Sequence, residues 1–117
     1  MKLEDLVIYQ IAMEVGDEIW FSVTEWENLA KYSIGKQIIR SADSIAANIS
    51  EGFGRYHYKD RKNFMFYSRG SLFETKTWLT KARNRHIITE DFFENQIQKL
   101  DSLGVKLNNY ISTLKEK

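Results

Sequence analysis

Residues 33–53 read SIGKQIIRSADSIAANISEGF and carry the clearest apolar pattern in the chain. Apolar side chains recur at steps of four or three residues, the spacing that places them on one face of an α-helix. The members of this stripe are Ile34, Ile38, Ala42, Ile45, Ile49 and Phe53. Because the remaining positions are mostly polar, the segment predicts an amphipathic helix that buries one side against other helices.

Similar periodicity continues on both sides of this segment. It predicts four helices, at about 3–23, 33–53, 60–84 and 89–115, with room for a short extra helix around Trp26 and Leu29. Proline, which would interrupt long helices, is absent. Connections of roughly four to eight residues make consecutive helices antiparallel. The sequence therefore predicts a single all-α domain over residues 1–117, an antiparallel up-down-up-down four-helix bundle.

Each of the other three helices has a predicted core row. In the first helix the row is Leu6, Ile11, Val15 and Ile19, widened by Val7 and Ala12. In the third helix it is small, and consists of Phe64, Ser68, Ser71, Thr75, Leu79 and Ala82. In the fourth helix it is Phe93, Ile97, Leu100, Leu103 or Gly104, Leu107, Ile111 and Leu114. Asp60 and Thr89 are the predicted N-caps of the third and fourth helices, because their side-chain oxygens can accept hydrogen bonds from free N–H groups.

Composition excludes several classes of protein. A chain of 117 residues with 43% hydrophobic and 28% charged residues is typical of one water-soluble globular domain. No apolar run approaches the 18 or so residues of a membrane helix, and the start of the chain lacks the apolar core of a signal peptide. Cysteine is absent, which excludes disulfides and thiolate metal sites. We therefore expect a cytoplasmic protein that does not associate with membranes.

Side chains suited to catalysis or metal binding are sparse. His57 and His86 are isolated, and neither follows an acidic residue at the three-residue spacing that metal sites in helical bundles use. Glu14, Asp17 and Glu18 lie within one helical turn, where a solvated acidic surface is the ordinary interpretation. The sequence therefore predicts a protein that is not an enzyme and that uses no cofactor, metal or small-molecule substrate.

Positive charge is concentrated in the third predicted helix and its flanks. Residues 54–86 contain nine Lys or Arg and two acids, a net charge of +7. The whole chain has a net charge of +1, so the remaining residues have a net charge of 1 − 7 = −6. Four of these cations recur every seven residues and form one stripe along the helix: Lys62, Arg69, Lys76 and Arg83. Together with Arg55, Lys59 and the neighbouring tyrosines, this ridge is suited to contacts with phosphates and unpaired bases. Alternatively, the cations pair with acids of the first helix or of a neighbouring subunit.

Two further faces carry unusual residues. Arg40, Ser44, Asn48, Glu51 and Arg55 share a polar face of the second helix, which suggests hydrogen bonding across a packed surface. In the third helix a face made of apolar and small residues points away from the predicted core, and its members are Phe66, Gly70, Phe73 and Thr77. This face predicts either contact with another protomer or burial under the connections of the same chain.

The run QIIRSADSIAANISEGFGR at 37–55, followed by FMFYSRGSLFET at 64–75, resembles the four-helix-bundle family of 23S rRNA intervening-sequence proteins. The resemblance implies a bundle that assembles as a homopentameric ring, is encoded in some bacteria within insertions of ribosomal RNA genes, and has no established enzymatic activity. A related branch, the accessory proteins of diversity-generating retroelements, implies binding of nucleic acid through a basic surface.

The family pattern transfers to eight positions of this sequence and departs at two. The matching residues are Arg40, Asn48, Glu51, Gly52, Arg55, Gly70, Ser71 and Glu74. Ile39 stands where the family commonly has the first of two arginines, and Ala46 stands where it commonly has proline. We interpret the matches as structural: Gly70 and Ser71 as a close-packing point, and an inter-helix or inter-subunit polar network of Arg40, Asn48, Glu51 and Glu74.

Two hypotheses of function follow. In the first, a homopentamer associates with RNA or other nucleic acid through a basic surface, whose candidate residues are Arg55, Lys59, Lys62, Arg69, Lys76 and Arg83. In the second, the protein is a structural or protein-interaction scaffold whose cations are used in contacts between subunits.

Overall fold

The computed structural model describes residues 1–115, and over that range the chain is entirely helical apart from its connections. A short 3-10 helix at Leu3–Asp5 precedes five α-helices. They are α1 (Val7–Thr24), α2 (Asn28–Lys31), α3 (Ile34–Phe53), α4 (Tyr58–Asn84) and α5 (Glu90–Thr113). The four long helices α1, α3, α4 and α5 confirm the predicted four-helix bundle, and α2 is a single turn in its first connection.

The four long helices surround one core in the cyclic order α1, α3, α4, α5. The most extensive contacts join α3 to α4, followed by α1 to α3, α4 to α5 and α1 to α5. The connections over residues 54–57 and 85–89 are too short to cross the bundle, so α4 runs antiparallel to α3 and to α5. Gly16 of α1 lies beside Asp43 of α3, and Val23 of α1 lies beside Gly35 of α3, so α1 is antiparallel to α3 as well. The molecule measures 51 × 22 × 21 Å. As a result, α1 and α4 occupy diagonal corners and run in the same direction.

The apolar stripe of α3 forms the centre of the core, as its spacing predicts. Ile38, Ile45 and Ile49 are at most 1% exposed, and they pack between the other long helices. The facing row of α5 is equally well buried, and includes Leu100, Leu103 and Leu107. Burial of these side chains is the main stabilising contribution to such a bundle.

The predicted core row of α1 is partly wrong. Ile8 is buried, whereas Val7 is exposed and Ile11 is only half-buried. The 3-10 helix ends before Leu6, which has extended backbone angles and precedes the first residue of α1. The errors are confined to Val7 and Ile11, whose neighbours Ile8 and Ala12 take the core positions. The other predicted members are buried as predicted: Leu6, Ala12, Val15 and Ile19.

The predicted core row of α4 is also partly wrong, by one position at two places. Met65 and Leu72 are buried, whereas the predicted Phe64 and Ser71 are half-buried at the side of the helix. Ser68, Thr75, Leu79 and Ala82 are buried as predicted. The side chains that α4 contributes to the core are therefore larger than predicted, because they include Met65 and Leu72.

Small polar residues join α3 to α4 near the middle of both helices. The Ser68 hydroxyl donates to the carbonyl oxygen of Ile45 at 2.8 Å, and the hydroxyls of Ser41 and Thr75 lie 3.0 Å apart. All three side chains are buried, so their polar atoms need these partners. The two helices therefore have a fixed vertical register, with residues 41–45 of α3 level with residues 68–75 of α4.

The helix ends agree with one predicted cap and not with the other. The Thr89 hydroxyl accepts a hydrogen bond from the Phe92 N–H at 3.1 Å, which confirms Thr89 as the N-cap of α5. Asp60 is not a cap, because α4 begins at Tyr58 and Asp60 lies within its first turn. At the other end of α4, His86 adopts a left-handed conformation with φ of 59°, which lets the chain turn towards α5.

Candidate nucleic-acid interface

Charge is divided unevenly among the long helices. Helix α4 contains seven Lys or Arg and two acids, a net of 7 − 2 = +5. Helix α1 contains three acids, Glu14, Asp17 and Glu18, and no Lys or Arg, a net of −3. Because α1 and α4 occupy diagonal corners, the molecule has a basic side and an acidic side.

The predicted basic ridge lies along the seam between α4 and α5, and its members are Lys62, Arg69, Lys76 and Arg83. Lys76 Nζ lies 2.6 Å from Asp101 Oδ1, and Arg69 donates to Asn108 Oδ1 at 3.0 Å. The four cations do share one side of α4, but that side is turned towards the neighbouring helix. Two of them are therefore engaged within the chain.

Arg83 is engaged at the far end of the ridge. Its guanidinium lies 3.9 Å from Glu90 Oε1 and 4.0 Å from the centroid of the Phe93 ring. The predicted partners of these cations were acids of the first helix or of another subunit, whereas the observed partners lie on α5. Glu90, Asp101 and Asn108 are spaced by eleven and seven residues, which places them on one face of α5. This spacing is the feature of the sequence that could have identified them as partners of the ridge cations.

The basic corner is the connection from α3 to α4 together with the first turn and a half of α4. We define it as Arg55, Tyr56, Lys59 and Lys62. Arg55 bonds to Glu51 at 2.9 Å and its guanidinium lies 4.8 Å from the Phe64 ring centroid. Tyr56 is 87% exposed. Lys59 is exposed, and within residues 1–115 neither Lys59 nor Lys62 forms a salt bridge.

The predicted polar network does not join helices within the chain; its members were Arg40, Asn48, Glu51 and Glu74. Asn48 donates to the carbonyl oxygen of Ser44, and Glu74 accepts from the Trp78 indole, each four residues away on its own helix. The Arg40 side chain is exposed and has no hydrogen-bond partner among the described residues. The inter-helix interpretation is therefore wrong, and the inter-subunit interpretation stays a prediction.

The outer face of α4 is uncovered; it consists of Phe66, Gly70, Phe73 and Thr77. Phe73 is 60% exposed, so the predicted burial under the connections of the same chain is wrong. A Cβ added at Gly70 would meet nothing within 4 Å. Gly70 is therefore not a close-packing point inside this chain, and the face remains available to a partner.

An ion cluster that the sequence analysis missed joins α1 to α5. Lys99 Nζ lies 2.8 Å from Glu14 Oε1 and 2.6 Å from Glu18 Oε1. Gln96, which is fully buried, donates to the same oxygen of Glu18 at 3.0 Å. Gln96 takes a core position beside the predicted core residue Ile97, which is half-buried. Glu14 and Glu18, two of the three acids predicted to form a solvated surface, therefore form ion pairs that connect α1 to α5.

The ion cluster shifts the pKa values of its members. Burial tends to raise the pKa of Glu18, but the hydrogen bonds from Lys99 and Gln96 outweigh it, so that the pKa lies below that of an ordinary glutamate. Hydrogen bonds to Glu14 and Glu18 raise the pKa of Lys99. A lowered carboxyl pKa contributes stability above the unfolded-state pKa, and this contribution is lost as the pH falls through the folded-state pKa.

We expect Lys99→Met to lower the free energy of unfolding by about 1 kcal/mol at pH 7, the upper end for partly exposed ion pairs. The loss should shrink as the pH falls through the lowered pKa of Glu18, because a protonated Glu18 no longer forms an ion pair with Lys99. Urea unfolding at pH 7 and pH 3 measures both quantities. Lys106→Met, on the exposed side of the same helix, is the control and should change little. A loss that is equal at both pH values would contradict the assignment.

Other chemistry-bearing groups are few in the described part of the chain. Among residues 1–115, no group of three or more His, Cys, Asp or Glu side chains is placed to hold a metal ion. Asp17 and Asp43 face each other across a groove between α1 and α3. Burial raises the pKa of Asp43, and the neighbouring charge of Asp17 adds to the effect. None of the helices over this range combines the length and the apolar character that crossing a membrane requires.

Comparison with known proteins identifies the family. Residues 4–109 match the family model described as 23S rRNA-intervening sequence protein. The chain belongs to this family. The matched range includes all of α1, α3 and α4 and most of α5, so the match to the intervening-sequence protein family extends over all four long helices. The resemblance drawn from residues 37–55 and 64–75 is thereby confirmed.

A solved structure shares the fold of this family member. It is the crystal structure of a protein of unknown function from the S23 ribosomal protein family of Bacteroides thetaiotaomicron VPI-5482. The TM-score is 0.81 at 23% sequence identity, over 90% of this chain and 98% of that one. At this identity the likeness shows the four-helix fold. A search of curated proteins finds no match.

Proposed function

We propose that this protein is a non-enzymatic subunit of a ring-forming homo-oligomer that associates with RNA or other nucleic acid through the basic corner. The observation that supports the nucleic-acid contact most directly is the pairing of free cations with an exposed aromatic ring. Lys59 and Lys62 form no salt bridge within residues 1–115, and Tyr56 beside them is 87% exposed.

The basic corner suits a flexible or single-stranded segment of nucleic acid. Lysine and arginine side chains neutralise phosphates and release counterions, while an exposed tyrosine can stack on an unpaired base. A single corner has too few cations for tight binding. A homopentamer, which the family resemblance implies, carries five corners, and the second and later contacts benefit from a high effective concentration.

The basic ridge contributes less to this proposal than its charge suggests. Arg69, Lys76 and Arg83 have hydrogen-bond or ion-pair partners on α5, and releasing them would leave Asp101 and Glu90 unpaired. This observation favours a second candidate function, a scaffold that binds only protein. In that case the uncovered outer face of α4 is a protein-binding surface and the basic corner has no ligand.

A salt series of RNA binding distinguishes the two functions. We expect Lys59→Glu/Lys62→Glu to weaken binding of a labelled RNA hairpin with a single-stranded loop by more than tenfold at 50 mM NaCl. The plot of log affinity against log salt should become shallower by about 1.4 for each engaged subunit, at about 0.7 per lost phosphate contact. Fluorescence anisotropy measures both.

The control for this experiment is Lys31→Glu/Lys36→Glu, which makes the same charge change at the end of α2 and in the first turn of α3. The start and the end of α3 are about 28 Å apart, so this pair is remote from the basic corner. Equal binding by wild type and both variants would remove the basic corner as the interface. No binding by the wild type at low salt would remove nucleic acid as a ligand and leave the scaffold.

A further inference from the structure

The acidic and basic sides of the molecule both expose large apolar side chains. On the outer face of α1 these are Met13, Trp20 and Phe21, and on the outer face of α4 they are Phe66, Tyr67 and Phe73. Their exposure ranges from 41% to 68%. Clustered exposure of this kind marks surfaces that contact another molecule rather than water.

Cations frame the aromatic residues on α4. The Arg69 guanidinium lies 4.8 Å from the centroid of the Phe66 ring, and Lys76 Nζ lies 5.7 Å from that of Phe73. Within residues 1–115 Lys76 is paired with Asp101, whereas Arg69 bonds only to the neutral amide of Asn108 and forms no salt bridge. The outer face of α4 is therefore aromatic in its middle and positive along one edge.

Carboxylates frame the apolar residues on α1. Asp17 is exposed between Met13 and Phe21, and it borders a groove of about 350 Å³ whose other wall carries Asp43. Neither Asp17 nor Asp43 forms a salt bridge within the described residues. The absence of a side chain at Gly16 lets Asp43 lie close to α1, because a Cβ at Gly16 would be only 3.0 Å from Asp43 Oδ1.

We infer that the acidic outer face of α1 on one copy binds the basic outer face of α4 on the next copy, in repeated head-to-tail contacts. This inference rests on the proposed ring and names the surfaces that build it. Symmetric pairing would place α4 against α4 or α1 against α1, and each of these brings like charges together. Head-to-tail contacts between unlike faces instead generate a closed ring when the rotation between copies closes.

The vertical register of the two faces agrees with this arrangement. Asp43 is level with Gly16 of α1 and with residues 68–75 of α4, because the α3–α4 hydrogen bonds fix that level. Helices α1 and α4 run in the same direction. When copies stand parallel in a ring, this level of α1 in one copy is therefore also the level of residues 68–75 of α4 in the next. Asp17 of one copy then meets the band between Arg69 and Lys76 of the next.

Parallel copies also place every basic corner on the same rim. The basic corner lies at the end of the bundle where α3 finishes and α4 begins, away from the middle of the outer faces. Contacts between copies therefore leave Lys59 at the rim, where the corners of the ring can bind one nucleic acid together.

Charge reversal on the two faces tests the inference by light scattering after size exclusion, with circular dichroism to verify folding. We expect wild type to elute as an oligomer, and Asp17→Arg and Arg69→Glu each to elute as the 13.8 kDa monomer. The double variant Asp17→Arg/Arg69→Glu should recover the oligomer mass. Glu94→Arg, an acid-to-arginine change at an exposed position of α5, should leave the mass unchanged.

The outcomes separate this inference from the proposed function. An oligomeric wild type whose mass is unchanged by Asp17→Arg or Arg69→Glu would overturn the assignment of the faces and retain the ring. Failure of the double variant to recover the oligomer mass would also overturn it. If Asp17 of one copy contacts Arg69 of the next, exchanging the two charges must restore their attraction. A monomeric wild type would overturn the ring itself. Loss of RNA binding is measured independently with Lys59→Glu/Lys62→Glu.

Discussion

Ile45→Ala should lower the free energy of unfolding by about 2–5 kcal/mol, the range found when a large buried side chain is truncated to alanine. Ile45 is fully buried and lies where α3 packs against α4. Its carbonyl oxygen accepts the Ser68 hydroxyl, so the backbone of α3 cannot easily move inward to fill the cavity. Urea unfolding followed by far-UV circular dichroism measures the loss, and the midpoint of thermal unfolding should fall on the order of 10 °C.

Val105→Ala is the control for this prediction. Val105 lies on α5 and is 62% exposed, so its truncation should change the free energy of unfolding by less than about 0.5 kcal/mol. Both variants must be compared at one protein concentration, because the proposed assembly would add to the stability of the folded subunit. Similar losses at the two positions would contradict the placement of the α3 stripe at the centre of the core.

The fold was predictable where most large apolar residues fall on one stripe at helical spacing. In residues 34–53 Ile39 is the one large apolar residue off the stripe, and the isoleucines of the stripe are buried as predicted. Where two adjacent apolar residues fit the spacing about equally well, periodicity cannot choose between them. Phe64 and Met65 are one such pair, and Val7 and Ile8 are another; in both the second residue is the buried one. The choice depends on where the helix begins and on how its neighbour packs.

A buried polar residue was the least predictable part of the core. Gln96 occupies a position that the apolar pattern assigns to Ile97, and it does so because Glu18 on α1 accepts its side-chain N–H. A contact between residues 78 positions apart leaves no periodic signal in the sequence. The same is true of Lys99, whose two carboxylate partners are both on α1.

The candidate site was predictable in its composition and not in its partners. The seven-residue spacing correctly places Lys62, Arg69, Lys76 and Arg83 on one side of α4. Which neighbour that side faces depends on the cyclic order of the helices, and local periodicity does not contain this information. Arg69, Lys76 and Arg83 have partners on α5, whereas Lys62, the ridge member in the basic corner, forms no salt bridge within residues 1–115.

Gly52→Ala should lower the free energy of unfolding by about 2 kcal/mol, although alanine favours helix more than glycine does. A Cβ at Gly52 would lie 2.8 Å from Met65 Cε, 3.0 Å from Phe64 Cβ and 3.1 Å from the Arg61 carbonyl oxygen. The methionine methyl can rotate away, but the other two atoms belong to the backbone of α4 or are attached to it directly. The substitution must therefore push α3 and α4 apart at this level.

Gly104→Ala makes the same chemical change inside α5, where the nearest atom to an added Cβ is Leu72 Cδ1 at 3.9 Å. This is ordinary van der Waals contact, so only the gain in helix propensity remains, and we expect a stabilisation of about 0.5–1 kcal/mol. Urea unfolding of the two variants should give changes of opposite sign. If Gly52→Ala were also stabilising, the close approach of α3 and α4 at this level would be wrong, and with it the register used to place Asp17 opposite Arg69 in the proposed ring.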